Sequence, residues 1–380
     1  MNAALFHRRE AGFSLVELMV GMLIGLIGIV IITHLYITND RYKRSTTSGG
    51  AAQVNGAVAL YTLEREIRMG GYGINHSLAL NCTCAGVNCS PVQYYYNANS
   101  SFPPAGGAAG ALPPRVLAPV LITDNPGGPD SITVLYSGAN ERMLPAKLAD
   151  TTAGPNHDYK VDGTQGFADN DLILVVDGGT CLLRQVSKVQ GATTTLEHTA
   201  GPYDPAASFA PAVNAGAAVF SLGTPSPFGG PVWRTYSVAA NRLQAEDVLS
   251  SLATLPATSA QPLIDDIVDL QAQYGKDDGA FGAGGALPDD NIVDTWDEVP
   301  PANATEWRRV LAVRVAVLAR SQNYEKPSVA GGPCEATTAA NAPTWAGGLP
   351  MNVPGGLPSC YKYRVFETVI PLRNMIWRPA

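Results

Sequence analysis

The residues with the most specific chemical meaning lie at the start of the chain. A short basic leader ends at Gly12, Phe13 follows it, and Glu17 lies four residues further on, inside an otherwise apolar run. A carboxylate that faces lipid costs roughly 2.5–3.5 kcal/mol on insertion scales, so a Glu inside a membrane helix indicates a function. Its simplest partner is an α-amino group. Cleavage after Gly12 would create one on Phe13, about one helical turn from Glu17 of the same chain or of a neighbouring chain.

The segment that carries Glu17 has the length and composition of a membrane span. Residues 13–32 contain a single charged side chain, and a helix of this length crosses a hydrocarbon core of about 30 Å. An ordinary secretory signal has its apolar region before the cleavage site, whereas this one follows Gly12 and would be retained. Gly21 and Gly25 form a GxxxG pattern, which lets membrane helices approach closely, either as general packing or as a dedicated face between subunits.

The cysteines all follow the apolar segment and predict disulfides in an oxidising compartment. Several full pairings are open, and Cys334 with Cys360, which bracket a loop rich in Gly and Pro, is the first pair expected. The first three cysteines are crowded, so if the others pair locally at least one of them must reach elsewhere or stay free. The alternative for these three is a metal site with His76, although their spacing is not the usual CxxC pair of a zinc site. The six are Cys82, Cys84, Cys89, Cys181, Cys334 and Cys360.

Other chemistry finds little support in the sequence. The chain has no nucleophile elbow, no zinc-protease motif and no phosphate-binding loop, so we expect no catalytic residues, no enzyme activity and no cofactor. The acidic pairs at 265–266, 277–278 and 289–290 could bind calcium but lack EF-hand spacing, and solvated turns are the better interpretation. A net charge of −7 with scattered charges offers no electrostatic case for nucleic-acid binding.

The elements that must carry these residues are one long helix and a β-rich head. No proline occurs before Pro91, and apolar residues recur at helical spacing up to residue 69, with Gly49 and Gly50 as a possible kink. We therefore expect a cleaved leader at 1–12, a helix at 13–73 and a head at 74–380, with 74–130 irregular. Strands are predicted at 131–136, 171–176, 181–189, 217–222, 232–238, 310–320 and 361–370, while 263–274 is ambiguous between helix and strand.

The strand at 310–320 alternates in polarity. One face is apolar through Leu311, Val313, Val315 and Val317, and the other is interrupted by Arg314. Alternation of this kind is typical of an antiparallel sheet with one covered face. The amphipathic stripe of the preceding helix is assigned to Val54, Val58, Leu60, Tyr61, Leu63 and Ile67. Together these elements predict an α+β fold in which a long helix packs on an antiparallel sheet with long loops.

The pattern of Gly12, Phe13 and Glu17 before an uninterrupted apolar run resembles the class III signal of type IV prepilins and pseudopilins. The resemblance implies that a prepilin peptidase cuts after Gly12 and methylates Phe13, and that Glu17 pairs with the amine of an adjacent subunit. The helix end at 58–73 and the segments at 265–275, 307–321 and 363–374 are similar to PilW-type minor pilins.

This resemblance implies a type IV pilin-like fold and a minor pilin that primes pilus assembly near the tip. Its expected partners are other minor pilins, the major pilin, the prepilin peptidase and a large tip adhesin. The protein would span the inner membrane once with a periplasmic head, then enter the pilus and support twitching motility and adhesion. A J-type pseudopilin of type II secretion and a membrane-anchored glycan-binding module are the alternatives.

Overall fold

The computed structural model describes most of the helix and the head, and its core is continuous across them. The leader, Gly12 and Phe13 lie outside the described residues, as do several loops. The described residues are 14–74, 117–139, 144–152, 158–178, 180–198, 212–225, 230–253, 260–277, 291–301, 304–327, 329 and 331–376.

One helix, α1, runs from Leu15 to Met69 without interruption. Among the described residues it contains the one stretch apolar and long enough to cross a membrane, Leu15–Asp40, which is longer than the predicted span. The helix continues through Gly49 and Gly50, so the kink that the sequence allowed is absent. It ends at Gly70, and Gly71 and Gly73 turn the chain with positive φ angles of 81° and 74°, which glycine adopts without strain.

The head contains seventeen strands and three short α-helices within the described residues. The seven strands that the sequence predicted agree with observed strands to within two residues at each end. The strands are β1 Val120–Thr123, β2 Ser131–Tyr136, β3 Ala146–Lys147, β4 Tyr159–Lys160, β5 Leu172–Asp177, β6 Thr180–Gln190, β7 Thr195–His198, β8 Ala218–Gly223, β9 Val232–Ala239, β10 Arg242–Asp247, β11 Gln261–Asp265, β12 Ile267–Lys276, β13 Thr295–Asp297, β14 Val310–Arg320, β15 Thr344–Trp345, β16 Leu349–Pro350 and β17 Tyr363–Pro371. The helices are α2 Val248–Ala253, α3 Ala304–Arg309 and α4 Arg373–Ile376.

These strands form three main antiparallel sheets and one small hairpin. The first sheet has the order β1-β2-β9-β10-β11, the second β13-β12-β14-β17, and the third β3-β8-β5-β6-β7-β4. Helix α1 packs on the first two sheets around Leu63, Ile67, Trp307 and Tyr274, while the third sheet packs on the back of the first through Leu135 and other residues. The helix therefore lies over a surface formed jointly by the first and second sheets, in agreement with the predicted α+β fold.

Two sequence predictions about the head need correction, and one ambiguity is resolved. Strand β14 is covered on both faces, because Ala316 and Leu318 pack under Trp345 and Met351 of the β15–β16 region. The interval 74–130 is not wholly irregular, since β1 is a buried strand paired with β2. The ambiguous segment 263–274 is two strands, β11 and β12, joined by a turn at Asp266 with φ 61°.

The third correction concerns the amphipathic stripe of α1. Leu63 and Ile67 are buried in the core and Leu60 packs at its edge, as expected. Val54, Val58 and Tyr61 instead point away from the sheets, and Tyr61 is 66% exposed. The head-side half of α1 thus has two apolar faces, one covered by its own head and one open.

Candidate functional site

Glu17 lies in the first turn of α1, next to the extended N-cap residue Ser14. It has no ion-pair partner among the residues that the structure describes, and every side chain around it in the apolar half of the helix is outside the core of the head. The carboxylate is therefore presented on a bare helix. The expected cleavage and methylation residues, Gly12 and Phe13, lie outside the described residues.

Gly21 and Gly25 lie on the same face of α1 as Glu17. Steps of four and three residues place Glu17, Gly21, Gly25 and Gly28 within one narrow sector of the helix surface. A Cβ added at any of these three glycines would meet nothing within 4 Å. The face is therefore flat and open beside the carboxylate, so that another helix can approach the backbone closely.

Two hydroxyl groups of the apolar half are satisfied within the helix. The hydroxyl of Thr33 donates to the Ile29 carbonyl at 2.7 Å, and that of Thr38 donates to the His34 carbonyl at 2.8 Å. Such bonds to the carbonyl four residues earlier hide a hydroxyl from lipid. Between residues 14 and 33, therefore, Glu17 is the one ionisable side chain that calls for a partner outside the helix.

The head holds the far end of α1 through polar contacts as well as the core. The side chain of Asn374, in α4, donates to the carbonyls of Arg68, Met69 and Gly70 at 3.1–3.3 Å and so caps the helix. Asn55 donates to the Asp265 carbonyl at 3.1 Å. The sequence contained no signal for these contacts, because they join residues that are far apart along the chain.

A buried charge also links α1 to the first sheet. The Glu66 carboxylate, 5% exposed, accepts a hydrogen bond from the Tyr136 hydroxyl at 3.0 Å and lies 3.8 Å from the Arg234 guanidinium. Burial raises the pKa of both Tyr136 and Tyr236, so these phenols remain protonated and able to donate. This cluster holds the helix over the first sheet in one orientation.

The acidic pairs show structural contacts where they are described. Asp265 forms an ion pair with Arg242 at 2.6 Å and Asp266 one with Arg320 at 3.3 Å. Asp277 accepts a hydrogen bond from the Asn291 backbone at 2.7 Å, while 278, 289 and 290 lie outside the described residues. Within the described part of the chain, no group of three metal-binding side chains occurs.

Two buried carboxylates that the sequence analysis did not single out hold β12 to neighbouring segments of the head. Asp130 accepts hydrogen bonds from the backbone of Asn125 at 3.2 Å and of Ala272 at 2.9 Å. Asp269 accepts from Gln271 at 3.0 Å and from the Asn352 backbone at 2.7 Å. Burial raises the pKa of Asp130 to about 7, although the hydrogen bonds from the two backbone N–H groups lower it in part. Both carboxylates are occupied by these internal contacts and act as structural residues.

The predicted Cys334–Cys360 disulfide is confirmed, with a Cα–Cα distance of 4.7 Å. It closes the loop that precedes β17. Cys181 lies in β6, where only its backbone is described, and Cys82, Cys84, Cys89 and His76 lie outside the described residues. Their pairing, and the metal alternative for the crowded three, remain predictions.

Two family models match the chain. The model "Prokaryotic N-terminal methylation motif" matches residues 7–33, which contain Gly12, Phe13 and Glu17. The model "Type IV Pilus-assembly protein W" matches residues 235–374, from β9 to α4, so that the interval between them lies outside both. Comparison with curated proteins and with solved structures gives no match. The two family matches confirm the resemblance to PilW-type pilins with a class III signal.

Proposed function

Because a type IV pilus pilin of the PilW type is what both matches support, we propose that this chain is a minor pilin that helps to prime pilus assembly. It lies near the filament tip and thereby supports pilus formation, twitching motility and adhesion. The match over 235–374 favours this role over that of a pseudopilin of type II secretion. The role is one of assembly through contacts between subunits, with no catalytic residue.

The proposal begins with processing of the N-terminus. The prepilin peptidase removes residues 1–12 and methylates Phe13, which leaves a charged amine at the end of α1. The apolar half of α1 anchors the protein in the inner membrane with the head in the periplasm. The Cys334–Cys360 disulfide supports this placement, because such bonds persist in oxidising compartments.

The observation that carries the proposal is the isolated Glu17 beside an open glycine face on a bare apolar helix. In a bundle of such helices, Glu17 accepts the Phe13 amine of an adjacent subunit, whether another minor pilin or the major pilin. In low dielectric an ion left without its partner is strongly unfavourable, so the pair selects one register between neighbours. The exposed apolar face of Val54, Val58 and Tyr61 extends the contact surface beyond the membrane.

The test compares Glu17→Ala with Glu64→Ala, which makes the same change on the same helix beyond the membrane, where Glu64 pairs with Arg68. Each variant replaces the wild type at native expression in a deletion strain. Mass spectrometry should find an N-terminal, methylated Phe13 in both, because a helix without Glu17 inserts more easily. Glu17→Ala should show few surface pili and weak twitching, whereas Glu64→Ala should resemble the wild type.

Two results would contradict the proposal at different points. An intact leader in a strain with an active prepilin peptidase would refute the assigned processing. Normal piliation and twitching with Glu17→Ala would refute the role of the carboxylate, while loss of pili in both variants would point to a general effect on the helix.

A further inference from the structure

Strand β17 lies at the outer edge of the second sheet and continues for nine residues. Its inner edge pairs with β14 along its whole length. An edge strand presents backbone N–H and C=O groups that can pair with another chain. Which groups face outward follows from the register of the pairing.

The register assigns alternate residues of β17 to β14 and to the open edge. Just before the strand, the Ser321 N–H donates to the Lys362 carbonyl at 2.7 Å, and just after it the Leu372 N–H donates to the Leu311 carbonyl at 2.9 Å. The even-numbered residues of β17 therefore bond to β14, and the odd-numbered residues direct their backbone groups outward. The outward set is Tyr363, Val365, Glu367, Val369 and Pro371.

Pro371 agrees with this register, because a proline without an N–H is tolerated where a strand faces away from its sheet. Pro371 also ends the row of outward donors. The other four outward residues each present both an N–H and a C=O. None of these eight groups has a hydrogen-bond partner among the described residues. The open edge therefore offers a complete hydrogen-bonding pattern to an extended chain.

The side chains along this edge restrict what can pair with it. Arg364 is exposed, lies on the face towards α1, and has no ion-pair partner in the described part of the chain. On the other face, Val365 is half-buried and Val369 is 52% exposed. Cross-strand neighbours share a face, so an acidic residue fits opposite Arg364 and apolar residues fit opposite the two valines.

We propose that the outer edge of β17 binds an extended segment of a partner protein that places an acidic side chain opposite Arg364 and apolar side chains opposite Val365 and Val369. A second copy of β17 does not supply this pattern. In an antiparallel pair of two outer edges Arg364 lies opposite another even-numbered residue, and Arg364, Phe366, Thr368 and Ile370 are all non-acidic. This surface lies on the head, whereas Glu17 lies in the first turn of α1.

The test uses the full-length protein in detergent micelles and a synthetic peptide as long as β17 that alternates Val and Glu. Hydrogen exchange with mass spectrometry follows the amides of fragments that cover β17. Saturating peptide should slow exchange of the outward amides by about tenfold, because each N–H gains an acceptor. A matched peptide that alternates Val and Lys should give little protection.

Two variants separate binding from folding. Arg364→Glu should reverse the preference, so that the Lys peptide protects and the Glu peptide does not. Val369→Pro removes one outward N–H while retaining the bonds to β14, and it should reduce protection without changing the unfolding temperature. The proposal fails if the outward amides of the free protein already exchange slowly, since the edge would then be covered. It also fails if Arg364→Glu does not change the preference between the peptides.

Discussion

Replacement of Gly56 by Ala tests how closely α1 approaches its sheet. Gly56 lies in the head-side half of the helix, directly against the ring of Phe366 in β17. A Cβ built at this position overlaps three ring atoms of Phe366. Gly50, six residues earlier on the same helix, provides the matched control, because a Cβ there meets nothing within 4 Å.

The expected magnitude combines two opposed effects. Ala is favoured over Gly inside a helix by about 1 kcal/mol, which both substitutions gain. An extra methyl in a packed contact typically costs about 1–3 kcal/mol, which only Gly56→Ala incurs. Gly50→Ala should therefore stabilise the protein by about 1 kcal/mol, and Gly56→Ala should lie about 1–3 kcal/mol below it in free energy of unfolding.

The measurement is equilibrium unfolding by denaturant in detergent micelles, monitored by fluorescence and circular dichroism. A third variant combines Gly56→Ala with Phe366→Leu, which makes room for the methyl group. In a double-mutant cycle the two changes should be less destabilising together than the sum of their separate effects, because they share one contact. If Gly56→Ala is as stabilising as Gly50→Ala, the close approach of α1 to β17 is wrong.

Three further predictions concern the head. The double variant Cys334→Ser/Cys360→Ser should lose about 3 kcal/mol in unfolding free energy, because the bridge closes a loop with a sequence separation of 26; unchanged stability without reductant would contradict this. Burial raises the pKa of Asp130 from 3.8 to about 7, so the native state binds this proton more tightly than the unfolded chain. The resulting stability is full below the lower value and lost as pH rises through 7, and Asp130→Asn should flatten the unfolding temperature over that interval. Glu66→Ala should cost about 1–3 kcal/mol because Tyr136 and Arg234 lose their buried acceptor, while Glu66→Gln, which keeps an oxygen for the Tyr136 hydroxyl, should cost less in thermal unfolding. Equal losses for the two Glu66 variants would exclude this account.

Local patterns predicted the helix and three of the four longest strands, β6, β14 and β17, because their signals lie within a few neighbouring residues. Strand β14 has the bounds expected from its run of branched residues, and the spacing of Glu17 from Gly12 is the local pattern behind the site prediction. The strand at β10 was missed, since it has only two buried apolar residues and follows a turn at Ala240 and Asn241 with positive φ angles and no glycine. Pairing with β9 and β11, rather than propensity, makes it a strand.

Contacts between distant parts of the chain could not be predicted in this way. Gly56 meets Phe366, and Asn374 caps α1, although each pair comes from opposite ends of the sequence. Periodicity assigned Val54 and Tyr61 to the core because it identifies apolar residues without saying which of two faces the head covers. The cover on the outer face of β14 was unexpected for a similar reason, as Trp345 reaches it from the β15–β16 hairpin.

Helix α1 is unbroken, so it connects the membrane anchor directly to the head. At 1.5 Å per residue its 55 residues extend for about 80 Å, and the stretch between Asp40 and Ala52 crosses the gap from the apolar half to the first core contact without a hinge. Continuous helix therefore joins the apolar half to the head, with no turn between them. Each residue of that stretch also turns the head by about 100° around the helix axis. The angle around the helix axis between Glu17 and the β17 edge is accordingly set by the number of α1 residues that separate Glu17 from the head.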